Sequence, residues 1–159
     1  MRKQKTTYYC DMDGVLADFN AEPNAVKRFI GEPRFFYNLQ PIIENVDAIK
    51  QLIKKGESVK ILTTSPHFRA DDDKIKWLSQ HLPEVNRADI LIARPHQPKI
   101  TLIPTRKRKN AVLFDDYGKN IREWVENGGK YAIKILGERL QEENIEKVYQ
   151  VKSLREWVS

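Results

Sequence analysis

Short apolar runs and amphipathic stretches alternate along the whole chain. Apolar runs at residues 8–10, 59–62, 111–114, 131–135 and 148–151 each have the length of a buried strand, and 89–92 and 100–103 are two further candidates. Between them the period changes to that of a helix. Ile42, Val46, Ile49 and Ile53 form one stripe with Gly56 as its stop. Ile75, Leu78 and Leu82 form a second, with Asp71, Asp72 and Asp73 at the positive end of the helix dipole and Pro83 as terminator. Ile121, Trp124 and Val125 form a third, ended by Gly128 and Gly129 near the start of the fourth principal run, whose end is expected near Gly137. Ser153 with Glu156 reads as a capping box for a short last helix. Strands alternating with helices predict an α/β, Rossmann-like fold: a mostly parallel sheet with helices on both faces.

The 159 residues suit a single domain, 1–159, and 40% hydrophobic residues are enough to build a core. No apolar run approaches the ~20 residues that cross a bilayer, so no membrane partner is expected. The basic opening at residues 1–7 leads into only a short apolar stretch, which predicts no export leader. A lone cysteine, Cys10, cannot form an internal disulfide and suits a cytoplasmic location; in a buried strand it reads as a small core residue. The balance of 28 basic and 22 acidic residues, a net +6, points to an anionic partner: nucleotide, nucleic acid or an acidic surface.

In parallel sheets the ligand crevice lies beyond the carboxyl ends of the strands. That rule selects Asp11 and Asp13, Thr64 and Ser65, and Asp115 and Asp116, with the basic run from Arg106 to Lys109 beside them. Alone, each of these segments is an ordinary turn, helix cap or solvated loop; their shared placement gives them weight. Gathered carboxylates repel unless a cation intervenes, and an all-oxygen set that also serves a phosphate suits Mg2+. Gly14 permits a tight turn whose backbone N–H groups can receive an anion. Asp11 can attack phosphorus to give an aspartyl-phosphate, and Asp13 can protonate the leaving oxygen and then activate water. Thr64, Ser65 and a lysine would bind the phosphate.

The opening Asp11-Met12-Asp13-Gly14-Val15-Leu16-Ala17-Asp18-Phe19 resembles the first motif of the haloacid dehalogenase (HAD) superfamily of phosphatases, and more narrowly that of the 5′(3′)-deoxyribonucleotidases. The similarity continues through the segments 35–41, 64–66, 74–77 and 113–116. The resemblance implies Asp11 as nucleophile, Asp13 as acid/base with its carbonyl on magnesium, and Asp116, helped by Asp115, completing the metal site. It implies a phosphate-binding lysine in the loop before the last acidic strand, where Lys107 matches best, Lys109 follows and Lys99 is third. Phe19 would face the substrate base or serve as a core aromatic. The substrate implied is a nucleoside monophosphate. Only residues 20–36 stand where this family has a sizeable helical cap, so an open crevice is expected. A phosphorylated nucleic-acid end as substrate, or a non-catalytic nucleic-acid-binding module, are the rival expectations. Asn120 is expected to cap the helix after the acidic pair or to hold the loop near the metal, His67 is the one histidine near the rim, and Trp77, Trp124 and Trp157 are expected to pack helices on the sheet.

Overall fold

A computed structural model describes residues 4–136 and 145–159 of the chain; Gly137 and the basic Arg2 and Lys3 lie outside these. Six strands form one sheet: β1 (Thr7–Cys10), β2 (Ser58–Thr64), β3 (Ile90–Ala93), β4 (Ala111–Asp115), β5 (Tyr131–Ile135) and β6 (Val148–Val151). Their order is β3-β2-β1-β4-β5-β6 and every neighbouring pair is parallel. The chain therefore builds outward from β1 in one direction, then crosses to β4 and builds in the other. That reversal, between β1 and β4, is where such sheets leave a crevice.

The helices are α1 (Ala25–Gly31), α2 (Ile43–Lys54), α3 (Phe68–His81), α4 (Thr105–Arg108), α5 (Gly118–Glu126) and α6 (Leu154–Val158). Successive strand residues point to opposite faces, so the sheet sorts its side chains into two cores. Cys10, Ile61, Phe114 and Ile133 face one side, under Val46 and Ile49 of α2, Trp77 and Leu78 of α3, and Leu154 of α6. Tyr9, Leu62, Leu113 and Ala132 face the other, under Ile121 and Trp124 of α5. The two buried indoles each donate to a main-chain carbonyl, Trp77 to Leu39 at 2.8 Å and Trp124 to Ala111 at 3.2 Å. Trp157 packs at the sheet edge against Tyr131 and Tyr149. No helix among the described residues is long and apolar enough to cross a membrane.

Two local expectations need correction. The run at 100–103 is not a strand but part of a 3-10 turn, Lys99–Leu102. Pro98 and Pro104 bracket it, and Ile100 and Ile103 are both buried against the α5 side, a three-residue spacing that a 3-10 turn brings to one face. At α6, Ser153 occupies the cap position, but its hydroxyl makes no cap bond. Glu156 instead accepts from the Lys152 N–H at 3.2 Å, and the Leu154 N–H goes to the side chain of Asn45 at 2.8 Å.

Asn45 is almost fully buried and also donates to the Val15 carbonyl at 2.7 Å, tying the loop after β1 to the last helix. Replacing it by leucine strands one buried acceptor and one buried donor. Asn45→Leu is expected to lower the unfolding free energy by about 2–4 kcal/mol, read from urea denaturation, with little change in the slope.

Candidate active site

The register of the central strands fixes the site. Cys10 pairs with Phe114, so the next residues, Asp11 and Asp115, leave the sheet side by side. The Asp11 N–H still reaches the Phe114 carbonyl at 2.9 Å, which holds the start of the loop to the sheet. Past Asp11 the chain coils tightly: the Met12 carbonyl accepts from the N–H groups of Leu16 and Ala17, and the Gly14 N–H donates to the Ala17 carbonyl. Gly14 has φ +81°, and a β-carbon there would collide with the carboxylate of Asp116. Both the backbone angle and the close approach require glycine.

One oxygen each from Asp11, Asp115 and Asp116 lies within 4.8 Å of the others, the one such metal-competent cluster among the described residues. Lys99 enters between two of them. Its ammonium donates to Asp11 Oδ1 at 2.8 Å and to Asp115 Oδ2 at 2.7 Å, and only 3% of the residue is exposed. Burial opposes the charge on Lys99, but Asp11 and Asp115 outweigh it and leave the amine more basic than usual. Asp115 is held further by the Tyr117 N–H at 2.9 Å and the Asn120 side chain at 3.1 Å. Asn120 is thus not a helix cap; it lies inside α5 and restrains a carboxylate. Asn20 donates to Asp116 at 3.3 Å.

Asp13 is set apart from this cluster. Its carboxylate pairs with Lys74 at 2.5 Å, while its other oxygen is buried without a hydrogen-bond partner among the described residues. Lys74, fully buried, also donates to Thr63 Oγ1 at 3.0 Å and the Thr64 carbonyl at 2.7 Å, and its ammonium stands 4.3 Å from the centre of the Phe36 ring. Thus one lysine links the loop after β1 to the end of β2. At that end the Ser65 N–H donates to the Ala93 carbonyl and its hydroxyl to the His67 carbonyl, so Ser65 shapes the loop. The Thr64 hydroxyl has no hydrogen bond among the described residues. His67 is spent on structure: its Nδ1 accepts the Ala70 N–H at 3.2 Å and caps α3.

The basic residues expected here are elsewhere. Lys107 lies in α4 and lines a groove with Thr7, Ser58 and Asn110, the first residues of β1 and β2 and the residue before β4, at the opposite end of the sheet. Lys109 ends the same helix, just before β4 begins. A strand length separates both from Asp115, and Lys99 is the lysine at the cluster. The reason is the 3-10 turn at 99–102, which makes Lys99 the last residue at the carboxyl rim before the chain runs back to the amino side. Lys74 had a legible signal. It lies at helical spacing from Trp77, Leu78 and His81, a charge on an apolar stripe, and such a charge is buried only with a partner. Phe19 packs among Phe29, Phe35 and Phe36, with ring centres 5.9–6.5 Å away, and its remaining surface lines a hollow of about 380 Å3 with Asn20 and Asn24.

The donor set fits a divalent cation. Three hard carboxylate oxygens converge, and Asp116 is left without a cationic partner among the described residues. Burial, joined by the charges of Asp11 and Asp115, pushes its carboxyl up to about 8. Asp115 is pushed in the same direction for the same reasons, burial first, against the pull of Lys99.

The family described as 5′ nucleotidase, deoxy (Pyrimidine), cytosolic type C protein matches residues 20–158. No curated protein matches in sequence. Among solved structures, the fold is shared with a HAD phosphatase from Thermococcus onnurineus: 15% identity, 97% of this chain and 96% of that one, TM-score 0.66. It is shared too with the magnesium-bound HAD-hydrolase YfnB from Bacillus subtilis, at 14% identity, 98% and 97% coverage, and TM-score 0.68. A D,D-heptose 1,7-bisphosphate phosphatase from B. bronchiseptica, complexed with magnesium and phosphate, matches at 13% identity, 94% of each chain and TM-score 0.68.

A carboxyl raised from 3.8 to about 8 on folding keeps its proton in the folded state while the unfolded chain releases it. Stability from Asp116 is therefore present below pH 4 and lost as pH rises toward 8. A bound divalent ion replaces that proton. Melting temperature without metal is expected to fall between pH 5 and 8, and a divalent salt should raise it more at pH 8 than at pH 5. An equal rise at both pH values would contradict the assignment of Asp116 to the cation.

Proposed function

Because the chain belongs to the family of 5′ nucleotidase, deoxy (Pyrimidine), cytosolic type C proteins, phosphate monoester hydrolases of the HAD superfamily, we propose that it releases phosphate from nucleoside monophosphates through an aspartyl-phosphate on Asp11. The observation that carries the reading is Lys99, buried between Asp11 and Asp115 at the crevice of a parallel sheet. That ammonium lets the anionic Asp11 meet an anionic phosphate.

In this reading a carboxylate oxygen of Asp11 attacks phosphorus, and the bond to the leaving oxygen breaks as Asp13 delivers a proton to it. Asp13 then takes a proton from water, whose oxygen attacks phosphorus and frees Asp11 and inorganic phosphate. Lys74 fixes the Asp13 side chain for both transfers, and the free Thr64 hydroxyl and the backbone around Gly14 and Ser65 are offered to phosphate oxygens. Asp11, Asp115 and Asp116, with the Asp13 carbonyl, would hold Mg2+, which when bound supplies positive charge against the phosphate. Residues 20–36 act as a reduced cap around α1, and Phe19 with Asn20 offers the leaving nucleoside a partly apolar hollow. The single cysteine supports a cytoplasmic setting.

A second reading, a phosphorylated nucleic-acid end, draws on Phe68, 79% exposed beside the phosphate loop with the Arg94 guanidinium 4.8 Å from its ring centre. An open aromatic surface can stack a further base.

The test is phosphate release from deoxynucleotides, sugar phosphates and end-phosphorylated oligonucleotides, with and without magnesium. Deoxynucleotides should lead, and a large preference for oligonucleotide ends would select the second reading. Asp11→Asn should cut kcat by about 10³-fold or more with an unchanged circular dichroism spectrum; turnover at the parent rate would refute the aspartyl-phosphate.

A further inference from the structure

The run Arg106-Lys107-Arg108-Lys109 has no part at the carboxyl rim, yet it is not scattered over an inert surface. At the amino ends of the strands, β1, β2 and α4 surround a groove of about 570 Å3. Lys5, Lys60, Arg106 and Lys107 line it, and no carboxylate among the described residues does. The side chains of Arg106 and Lys107 make no hydrogen bond or ion pair among the described residues. Lys60 reaches Asp89 only at 3.5 Å, in a pair that stays about a third exposed, and Lys5 donates to the Gly56 carbonyl. Thr7 and Ser58, at the floor, bond each other at 3.3 Å and offer hydroxyl groups to a ligand.

Four like charges around one concavity repel each other, and an anion seated among them removes that repulsion. The cations come from three separate parts of the chain and converge on one hollow, instead of following one another along a track. Convergence suits a compact ligand of high charge, whereas a nucleic-acid strand asks for an extended groove. The acidic cluster lies at the far end of the same strands, so such an anion is drawn to this end of the sheet. We propose that the amino-end groove is a second anion site that takes a compact polyphosphate chain, free or carried by a nucleoside triphosphate. The proposal does not depend on which phosphate ester is hydrolysed at the carboxyl rim.

The experiment is calorimetric titration of the full chain at low salt with a chelator present, using inorganic tripolyphosphate, ATP and an unphosphorylated 12-residue oligonucleotide as separate probes. Tripolyphosphate should bind, and affinity should fall steeply with added salt. Arg106→Glu combined with Lys107→Glu, both exposed positions, should weaken it about tenfold or more, while Asp11→Asn should leave it unchanged. The doubly substituted chain should keep its melting temperature and its hydrolysis of p-nitrophenyl phosphate. ATP binding tighter than tripolyphosphate would add the nucleoside to the ligand, and equal affinity would assign the polyphosphate alone; either supports the site. Absence of tripolyphosphate binding, equal binding by the doubly substituted chain, or about tenfold tighter binding of the oligonucleotide than of tripolyphosphate would overturn it.

Discussion

The site depends on one buried ammonium. Lys99 stands between Asp11 and Asp115, and its charge offsets the repulsion of two carboxylates held close together out of water. Burying three charges is costly by itself. What offsets the cost is geometry: two short charge-assisted bonds to Lys99, with the remaining acceptor capacity of Asp115 met by a backbone N–H and an asparagine. The third carboxylate, Asp116, accepts from Asn20 and has no cationic partner among the described residues, and burial with the charges of Asp11 and Asp115 raises its affinity for a proton. An incomplete charge balance in a well-packed scaffold is what a metal-assisted phosphatase requires before its substrate arrives.

The same region shows why the opening loop admits so little variation. The parallel register delivers Asp11 and Asp115 together, and Asp116 then turns back over Gly14. A side chain at Gly14 would displace the carboxylate that closes the cluster. Asn45 anchors the next turn of that loop to the last helix through Val15 and Leu154, so the position of Asp11 is linked to packing at the far terminus of the chain. Stability and chemistry share these contacts. A substitution in α6 or α2 can therefore reach Asp11 without touching it.

Most of the architecture was legible because period and punctuation agree. The strands at β1, β2, β4 and β5 read as apolar runs ending in polar residues, and the three long helices read as stripes closed by glycine or proline. The misplaced lysine has one cause: nearness in sequence to an acidic strand is not nearness to its carboxyl end. Lys107 and Lys109 are close to the last acidic strand in sequence, but they precede it and so sit at its amino end. Lys99, more distant in sequence, is at the carboxyl rim because the chain makes its 3-10 turn there before crossing back. Reading 100–103 as a strand concealed that turn. Lys74 was hidden differently. Its position on the Trp77 face marks it as buried, but only the fold reveals that its partner is Asp13, 61 residues earlier.

The two buried lysines also separate chemistry from selection. Lys74 lies on α3 and Lys99 in the 3-10 turn, and each is nearly or wholly withdrawn from water, Lys74 in part by the ring of Phe36. Residues 20–36 contribute Asn20 to Asp116 and the rings of Phe29, Phe35 and Phe36, which pack with Phe19, but no ion pair to Asp11, Asp13, Asp115 or Asp116 among the described residues. Under the proposed function, changes in that segment would alter which leaving group fits the hollow beside Phe19 without altering the ion pairs at Asp11, Asp13 and Asp115. A small insert is then, under the same function, no handicap to hydrolysis itself, because Lys74 and Lys99 are already fixed on the carboxylates of Asp13, Asp11 and Asp115 before a phosphate ester enters.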